Sequence, residues 1–267
     1  MLWEELTADE FKQAVGESNG TCIFPFGVIE KHGSHLPLAT DMLIGRKIAQ
    51  AAAKLEPVVV FPYYYFGQIN EARHAPGTIA IKPELEYALL DEVFTEIARN
   101  GFKKIVILSS HGGNAAFVEY FMQGSLYKKK DYALYSIGFL SWLTPLQQAE
   151  IAQLLKLTAL LDHAGALETS LIMAIIPELV RMEQTNSEGS RNLDRLHHLP
   201  GVVTPIAWYA DHPTHQAGDP ALATRQVGDK ILLYAAQNVA KLVKAIKEDK
   251  LVKDLQDEFF SAAEWWL

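Results

Sequence analysis

The sequence predicts an α/β fold with a mostly parallel central sheet and helices on both faces, and three observations carry that expectation. Four short apolar runs read as strands: Thr21 to Phe26, Val58 to Phe61, Lys104 to Ser109 and Tyr132 to Phe139. Segments with apolar residues at helical spacing alternate with them, and strands joined through helices run parallel by crossover. Finally, 267 residues of which 49% are hydrophobic suffice to bury a large core.

Taken in order, Thr7-x-x-Glu10 fits a capping box opening a short helix with Phe11 and Val15 on one side. The first strand, Thr21 to Phe26, runs into the stretch Phe24 to Asp41, F-P-F-G-V-I-E-K-H-G-S-H-L-P-L-A-T-D. Met42 to Leu55 follows as a helix through Leu43, Ile44, Ile48, Ala51 and Ala52, and Pro57 introduces the second strand. Tyr63 to Thr78 is an aromatic loop bearing Gly and Pro. Pro83 to Asn100 is an amphipathic helix through Leu85, Leu89, Val93 and Ile97, ended by Gly101. The third strand leads into Ser110-His111-Gly112-Gly113-Asn114 and a helix from about Ala115 to Tyr127.

Beyond the fourth strand the pattern loosens. A helix from Gln147 to Lys156 precedes Asp162-His163-Ala164-Gly165-Ala166-Leu167-Glu168-Thr169-Ser170, which enters a very apolar helix ending near Pro177. Glu183 to Asp211 is expected to run over the surface, Gly218-Asp219-Pro220 to turn, and Thr224 to Lys247 to form a long closing helix. No repeat or low-complexity linker divides the chain, so residues 1–267 are expected to form one domain. Trp265-Trp266 is expected to pack back or to meet another subunit.

Composition excludes several functions. A formal net charge of -8 argues against nucleic acid as partner, since phosphate binding needs clustered Lys and Arg. A single cysteine, Cys22, excludes an intrachain disulfide and a thiolate-rich zinc site. No charged-then-apolar leader opens the sequence and no apolar run is long enough for a span, so the expectation is a cytoplasmic protein without membrane contact.

The chemistry concentrates at strand ends. Glu30, His32, His35 and Asp41 follow the first strand and His111 follows the third. In parallel sheets both loops open at the carboxyl end, where ligands bind, so these residues are expected to converge. Carboxylates mixed with imidazole suit zinc, manganese or iron(II), and Asp41 has two oxygens with which to bridge an ion pair. Gly112 and Gly113 lack phosphate-loop spacing and are read instead as letting backbone approach a bound substrate. Asp162-His163 suits proton transfer, with His163 supplying a proton to a leaving amine. Glu168 is either a further metal ligand or an orienting residue. His74, in H-A-P-G-T, is read as lining the pocket, and His197, His198, His212 and His215 as lying on the surface or the pocket rim.

These residues together resemble the creatininase (creatinine amidohydrolase) superfamily. The stretch Phe24 to Asp41 is similar to its P-x-G-x-x-E-x-H-G-x-H-L-P-x-x-T-D signature, and H-A-P-G-T, S-H-G-G-N, D-H-A-G-A-L-E-T-S and G-D-P-A-L-A-T follow in the family's order. The resemblance implies a three-layer α/β/α sandwich, a divalent metal centre, and commonly a homohexamer. It implies that Glu30, His32, Asp41 and His111 are metal ligands, that Asp41 bridges, and that His163 is catalytic, leaving His35 in support. Gly113 departs from the glutamate of true creatininase, which leaves open either a substitute ligand such as Glu168 or a single ion. The function expected is a metal-dependent amidohydrolase, using metal-activated water on a cyclic amide or formamide, with zinc first and manganese or iron as alternatives. A peptidase acting on a modified peptide and a non-catalytic metal or small-ligand binding protein are the rival readings.

Overall fold

A computed structural model describes residues 1–158, 160, 162–185 and 190–263. The expectation for Trp265-Trp266 falls outside these residues. Four parallel strands, β1 (Thr21–Phe26), β2 (Val59–Val60), β3 (Lys104–Ser109) and β4 (Ala133–Ile137), lie in the order β2-β1-β3-β4. β1 and β3 pair along their full length, from Thr21 opposite Lys104 to Phe26 opposite Ser109. The two outer strands are shorter than the sequence suggests. Apolar residues of the runs continue past the last paired residues, because burial and ladder pairing are separate requirements.

Helices cover both faces, giving the three-layer sandwich. On one face Ile23, Val60, Val106, Leu108 and Ile137 pack in one cluster with α2 (Thr40–Ala53), α5 (Pro145–Leu154), α6 (Ala166–Ile175) and α8 (Arg225–Glu248). On the other, Cys22, Phe24, Phe26, Val59, Ile105 and Ile107 pack against α1 (Ala8–Glu17), α3 (Pro83–Arg99) and α4 (Asn114–Gly124). Successive residues of each strand thus feed opposite cores, which is why the strands read as unbroken apolar runs. Cys22 is fully buried in the second core, and burial pushes its thiol up, out of reach of ionisation at neutral pH.

Local signals set the helix starts. Thr7 and Thr144 each close a capping box, with Glu10 and Gln147, and Thr224 accepts the amide of Val227 to open α8. Two elements differ from expectation. The described residues of Glu183 to Asp211 lie largely on the surface as expected, but the stretch ends in an unexpected helix, α7 (Ala207–Asp211), which carries Trp208 to the central cavity. After α8 the chain forms a further helix, α9 (Leu251–Ala263), whose Phe260 is buried.

The strand order decides where a site forms. β1 connects through α2 to β2 on one side, whereas β3 connects through α4 to β4 on the other. Their outgoing loops part at this point and leave a crevice at the carboxyl ends of β1 and β3.

Candidate metal centre and active site

Four segments meet in the crevice. The first is the loop after β1, whose turn is closed by the Glu30 amide donating to the Leu38 carbonyl at 3.0 Å. Gly27 lets α2 begin directly over this loop: a Cβ there would lie 2.6 Å from the Met42 nitrogen and 2.8 Å from the Asp41 carbonyl carbon. Asp41, in the first turn of α2, is thereby delivered to the strand ends, and the Ser110 hydroxyl donates to its backbone carbonyl at 2.8 Å. His111 comes from the loop after β3. His163 and Glu168 come from the start of α6.

Glu30, His32, Asp41 and Glu168 are each at most 3% exposed, and His111 is 7% exposed. His111 Nδ1 stands 3.0 Å from Glu30 Oε1 and 3.1 Å from Asp41 Oδ2. His32 Nε2 stands 3.2 Å from the other Asp41 oxygen, Oδ1, and 3.7 Å from Glu168 Oε2. Two of the groups whose ligand atoms are mutually close enough to hold an ion are Glu30 with Asp41 and His111, and His32 with His163 and Glu168. Asp41 turns one oxygen towards each.

The ring tautomers sharpen this geometry. A backbone carbonyl only accepts, so the ring nitrogen facing it carries the hydrogen. His111 Nε2 faces the Gln68 carbonyl at 3.1 Å and His32 Nδ1 faces the Glu30 carbonyl at 3.3 Å. In both rings the other nitrogen then presents its lone pair to carboxylate oxygens. Lone pairs facing lone pairs require a cation between them, either a proton or a metal ion. Glu30 Oε1, His32 Nε2 and both Asp41 oxygens are buried without hydrogen-bond partners, and no Lys or Arg pairs with these carboxylates among the described residues. The donor set therefore fits a divalent ion.

The buried carboxylates attract positive charge strongly, whether it is carried by a proton or by an ion. Burial alone would lower His32 and His111, but Asp41 with Glu168, and Glu30 with Asp41, hold the two rings well above the usual histidine range. Burial would raise Asp41, yet the adjacent His32 and His111 hold it well below the usual carboxylate range. His163 behaves differently: burial keeps it below the ordinary value, so it rests neutral. Its Nε2 donates to the Lys31 carbonyl at 2.9 Å, which leaves Nδ1 as the basic atom.

The other predicted residues separate into those at the cavity and those behind it. Glu30, His111, Gly112, Gly113, Asp162, His163 and Glu168 line a cavity of about 260 Å³, walled also by Glu71, Phe139, Trp208 and His215. Asp162 uses Oδ2 to accept the Ala166 amide at 3.1 Å, and burial followed by the nearby Glu168 charge raises it to about 7. Glu168 Oε2 accepts the Ala164 amide at 2.7 Å while facing His32 Nε2 at 3.7 Å. A Cβ at Gly113 would lie 2.4 Å from His111 Nε2 and 2.9 Å from Glu71 Oε1, so this arrangement has no room for a glutamate there. His35 is buried beside the site with Nε2 2.9 Å from Thr169 Oγ1, outside both ligand groups.

His74 and His215 exchange the places the sequence suggested. His74 is exposed and does not line the cavity; its ring nitrogens face the Glu71 and Pro213 carbonyls, each at 3.1 Å, tying two loops together. His215 is 1% exposed, with Nε2 2.5 Å from Glu30 Oε2. Burial, then the neighbouring His32 ring, push it down to about 3. Nothing periodic marks His215 in the sequence. The one available signal is the crowding of histidines between His197 and His215 just before the Gly218-Asp219-Pro220 turn.

Known proteins resemble the chain over most of its length. The sequence model described as creatinine amidohydrolase (creatininase) matches residues 4–243. A creatinine amidohydrolase of Pseudomonas putida is 24% identical over 260 residues, covering 90% of this chain and 95% of its own. A mycofactocin precursor peptide peptidase of Mycolicibacterium smegmatis is 26% identical over 241 residues, covering 85% and 86%. Among solved structures, a creatininase superposes with a TM-score of 0.80 at 22% identity, covering 93% of this chain and 98% of that one. A manganese creatininase structure gives 0.78 at 21% identity, covering 93% and 99%.

Proposed function

Because the chain belongs to the creatininase family, we propose that it is a metal-dependent amidohydrolase that opens the carbon–nitrogen bond of a small cyclic amide or formamide. The observation that carries this reading is the pair of carbonyl-locked imidazoles, His32 and His111, whose lone pairs meet opposite oxygens of one buried aspartate. Glu30, Asp41 and His111 would hold one ion, and His32, Asp41 and Glu168 a second. Glu168 thus stands in for the glutamate that Gly113 replaces. The donor set, oxygen and nitrogen without thiolate, favours zinc or manganese.

Such an ion, when bound, polarises an amide carbonyl and makes water more acidic. The remaining steps fall to the chain itself. His163, neutral at rest and anchored through Nε2 to the Lys31 carbonyl, accepts a proton at Nδ1 and delivers it to the departing nitrogen. Gly112 leaves room for the substrate on the His111 side, and Phe139 and Trp208 supply apolar walls. Asp162 Oδ1, buried without a protein partner, is available to a substrate N–H.

A cavity of about 260 Å³ favours a small amide over a peptide. The similarity to a peptidase supports the second reading, a processing enzyme for a modified peptide. Elemental analysis followed by a turnover screen of cyclic amides, formamides and peptides tests both. Retained activity in metal-stripped protein sinks the proposal, and turnover of peptides alone favours the second reading. We further propose a cytoplasmic homohexamer, supported by family membership and checked by sedimentation. No helix among the described residues is long and apolar enough to cross a membrane.

A further inference from the structure

His215 is buried at the wall of the cavity in a backbone conformation that few non-glycine residues adopt. Its φ is 56°, in the left-handed region, and its side chain is buried against Glu30, 185 positions away in sequence. A non-glycine residue persists there only when the surrounding contacts over-determine it. Those contacts form a directed chain. The Trp208 indole Nε1–H, which can only donate, meets His215 Nδ1 at 2.9 Å. With Nδ1 accepting, the hydrogen of the neutral ring lies on Nε2, 2.5 Å from Glu30 Oε2.

This lock is opposite to the one on His32 and His111. There, carbonyls hold the ring hydrogen and leave a lone pair facing the carboxylates; here an indole N–H occupies the lone pair and turns the hydrogen towards the carboxylate. Glu30, His163 and His215 are close enough together to resemble a third ligand group. The tautomer imposed by Trp208 excludes His215 from acting as a ligand, because its Nε2 has no lone pair to give.

We infer that His215, locked by Trp208, is a positioning residue for Glu30: it binds one carboxylate oxygen as a hydrogen-bond donor so that the other is the oxygen offered to the ion. The inference rests on the metal-dependent reading above. It accounts for the division of labour within Glu30, whose Oε1 faces His111 and has no hydrogen-bond partner while Oε2 is engaged. It also makes Trp208, a wall of the cavity, part of the support for the centre.

The test is zinc competition against a chromophoric chelator on the full-length protein and its variants, with two-bond proton–nitrogen correlations on ¹⁵N-histidine protein to read the tautomer. The unaltered chain should show His215 protonated on Nε2. His215→Gln keeps a donor for Glu30 and an acceptor for Trp208, and should bind zinc within about threefold of the unaltered chain. His215→Leu should bind at least about tenfold more weakly. Trp208→Phe keeps the aromatic wall but removes the N–H, and should mix the tautomers and weaken zinc binding. An Nδ1-protonated His215, a folded Leu variant with unchanged affinity, or a Gln variant as weak as Leu overturns the inference. If the Leu variant does not fold, the Gln and Phe variants and the tautomer decide. Failure of the unaltered chain to bind zinc overturns the proposed function instead, and is distinguishable because the tautomer is read independently.

Discussion

His111 Nδ1 and Asp41 Oδ2 face one another at 3.1 Å, and with the Gln68 carbonyl holding the Nε2 hydrogen both are acceptors unless a second proton or a metal ion lies between them. The contact is stable only with positive charge between the two atoms. Asp41→Asn removes one buried negative charge and turns one of the two carboxylate oxygens into an NH2 donor. Because Oδ1 faces His32 and Oδ2 faces His111, the amide NH2 replaces an acceptor on one side or the other, and the variant should lower zinc content and turnover together, as measured by elemental analysis and activity on the same preparation. A variant that keeps its full metal complement would count against the bridging arrangement.

An ion bound to these groups stabilises the folded chain, because the unfolded chain has no preformed site. Stripping the metal with a chelator should lower the melting temperature, and adding zinc back should restore it. The expected gain is about 2.7 kcal/mol at a free zinc concentration of a hundred times Kd. A melting temperature indifferent to chelator and zinc would argue that protons alone fill the cluster.

His163 lies within reach of the candidate ligand groups, and the proton-transfer role proposed for it can be separated by experiment from metal binding. His163→Ala should keep its zinc within about threefold and lose about 10²- to 10⁴-fold in kcat. Loss of zinc in proportion to kcat would instead make the residue a ligand.

Glu86, on α3, is buried with Oε1 unpartnered, and burial, then Glu71, raise its carboxyl from 4.5 to about 7. Its folded pKa lies above its unfolded one, so across this window the folded state holds the proton that the unfolded state has lost. Stability should therefore fall as pH rises from about 4.5 to about 7 and level off outside that range. Glu86→Gln should remove this slope and stabilise the protein by about 1–3 kcal/mol at pH 8 while changing little at pH 4. Urea unfolding of both proteins at pH 4, 6 and 8 makes the comparison. A parallel pair of profiles would show that Glu86 titrates normally.

The glycine at 113 is a steric requirement of this site. Gly113→Ala places a Cβ 2.4 Å from His111 Nε2, whose ring is held by the Gln68 carbonyl. The expected cost is about 1–3 kcal/mol in stability, with weaker zinc binding. Unchanged unfolding and zinc competition would show that the ring yields freely.

The sheet, most of the helices and most of the candidate ligand residues are legible in the sequence alone. These features are local: apolar runs, helical spacing, capping boxes such as Thr7 with Glu10, and the close spacing of Glu30, His32 and Asp41 all lie within short windows. His111 could be added because parallel strands deliver their following loops to one end. Tertiary structure decided what no window contains. That Glu168 faces His32, that Glu71 occupies the space beside Gly113, and that His74 stays outside while His215 reaches Glu30 all depend on how distant segments pack. Above all, whether each imidazole offers a lone pair or a hydrogen is set by its second neighbour, a carbonyl for His32 and His111 and an indole for His215. Those neighbours are brought in by the fold, and one residue type thus serves opposite purposes around the same carboxylates.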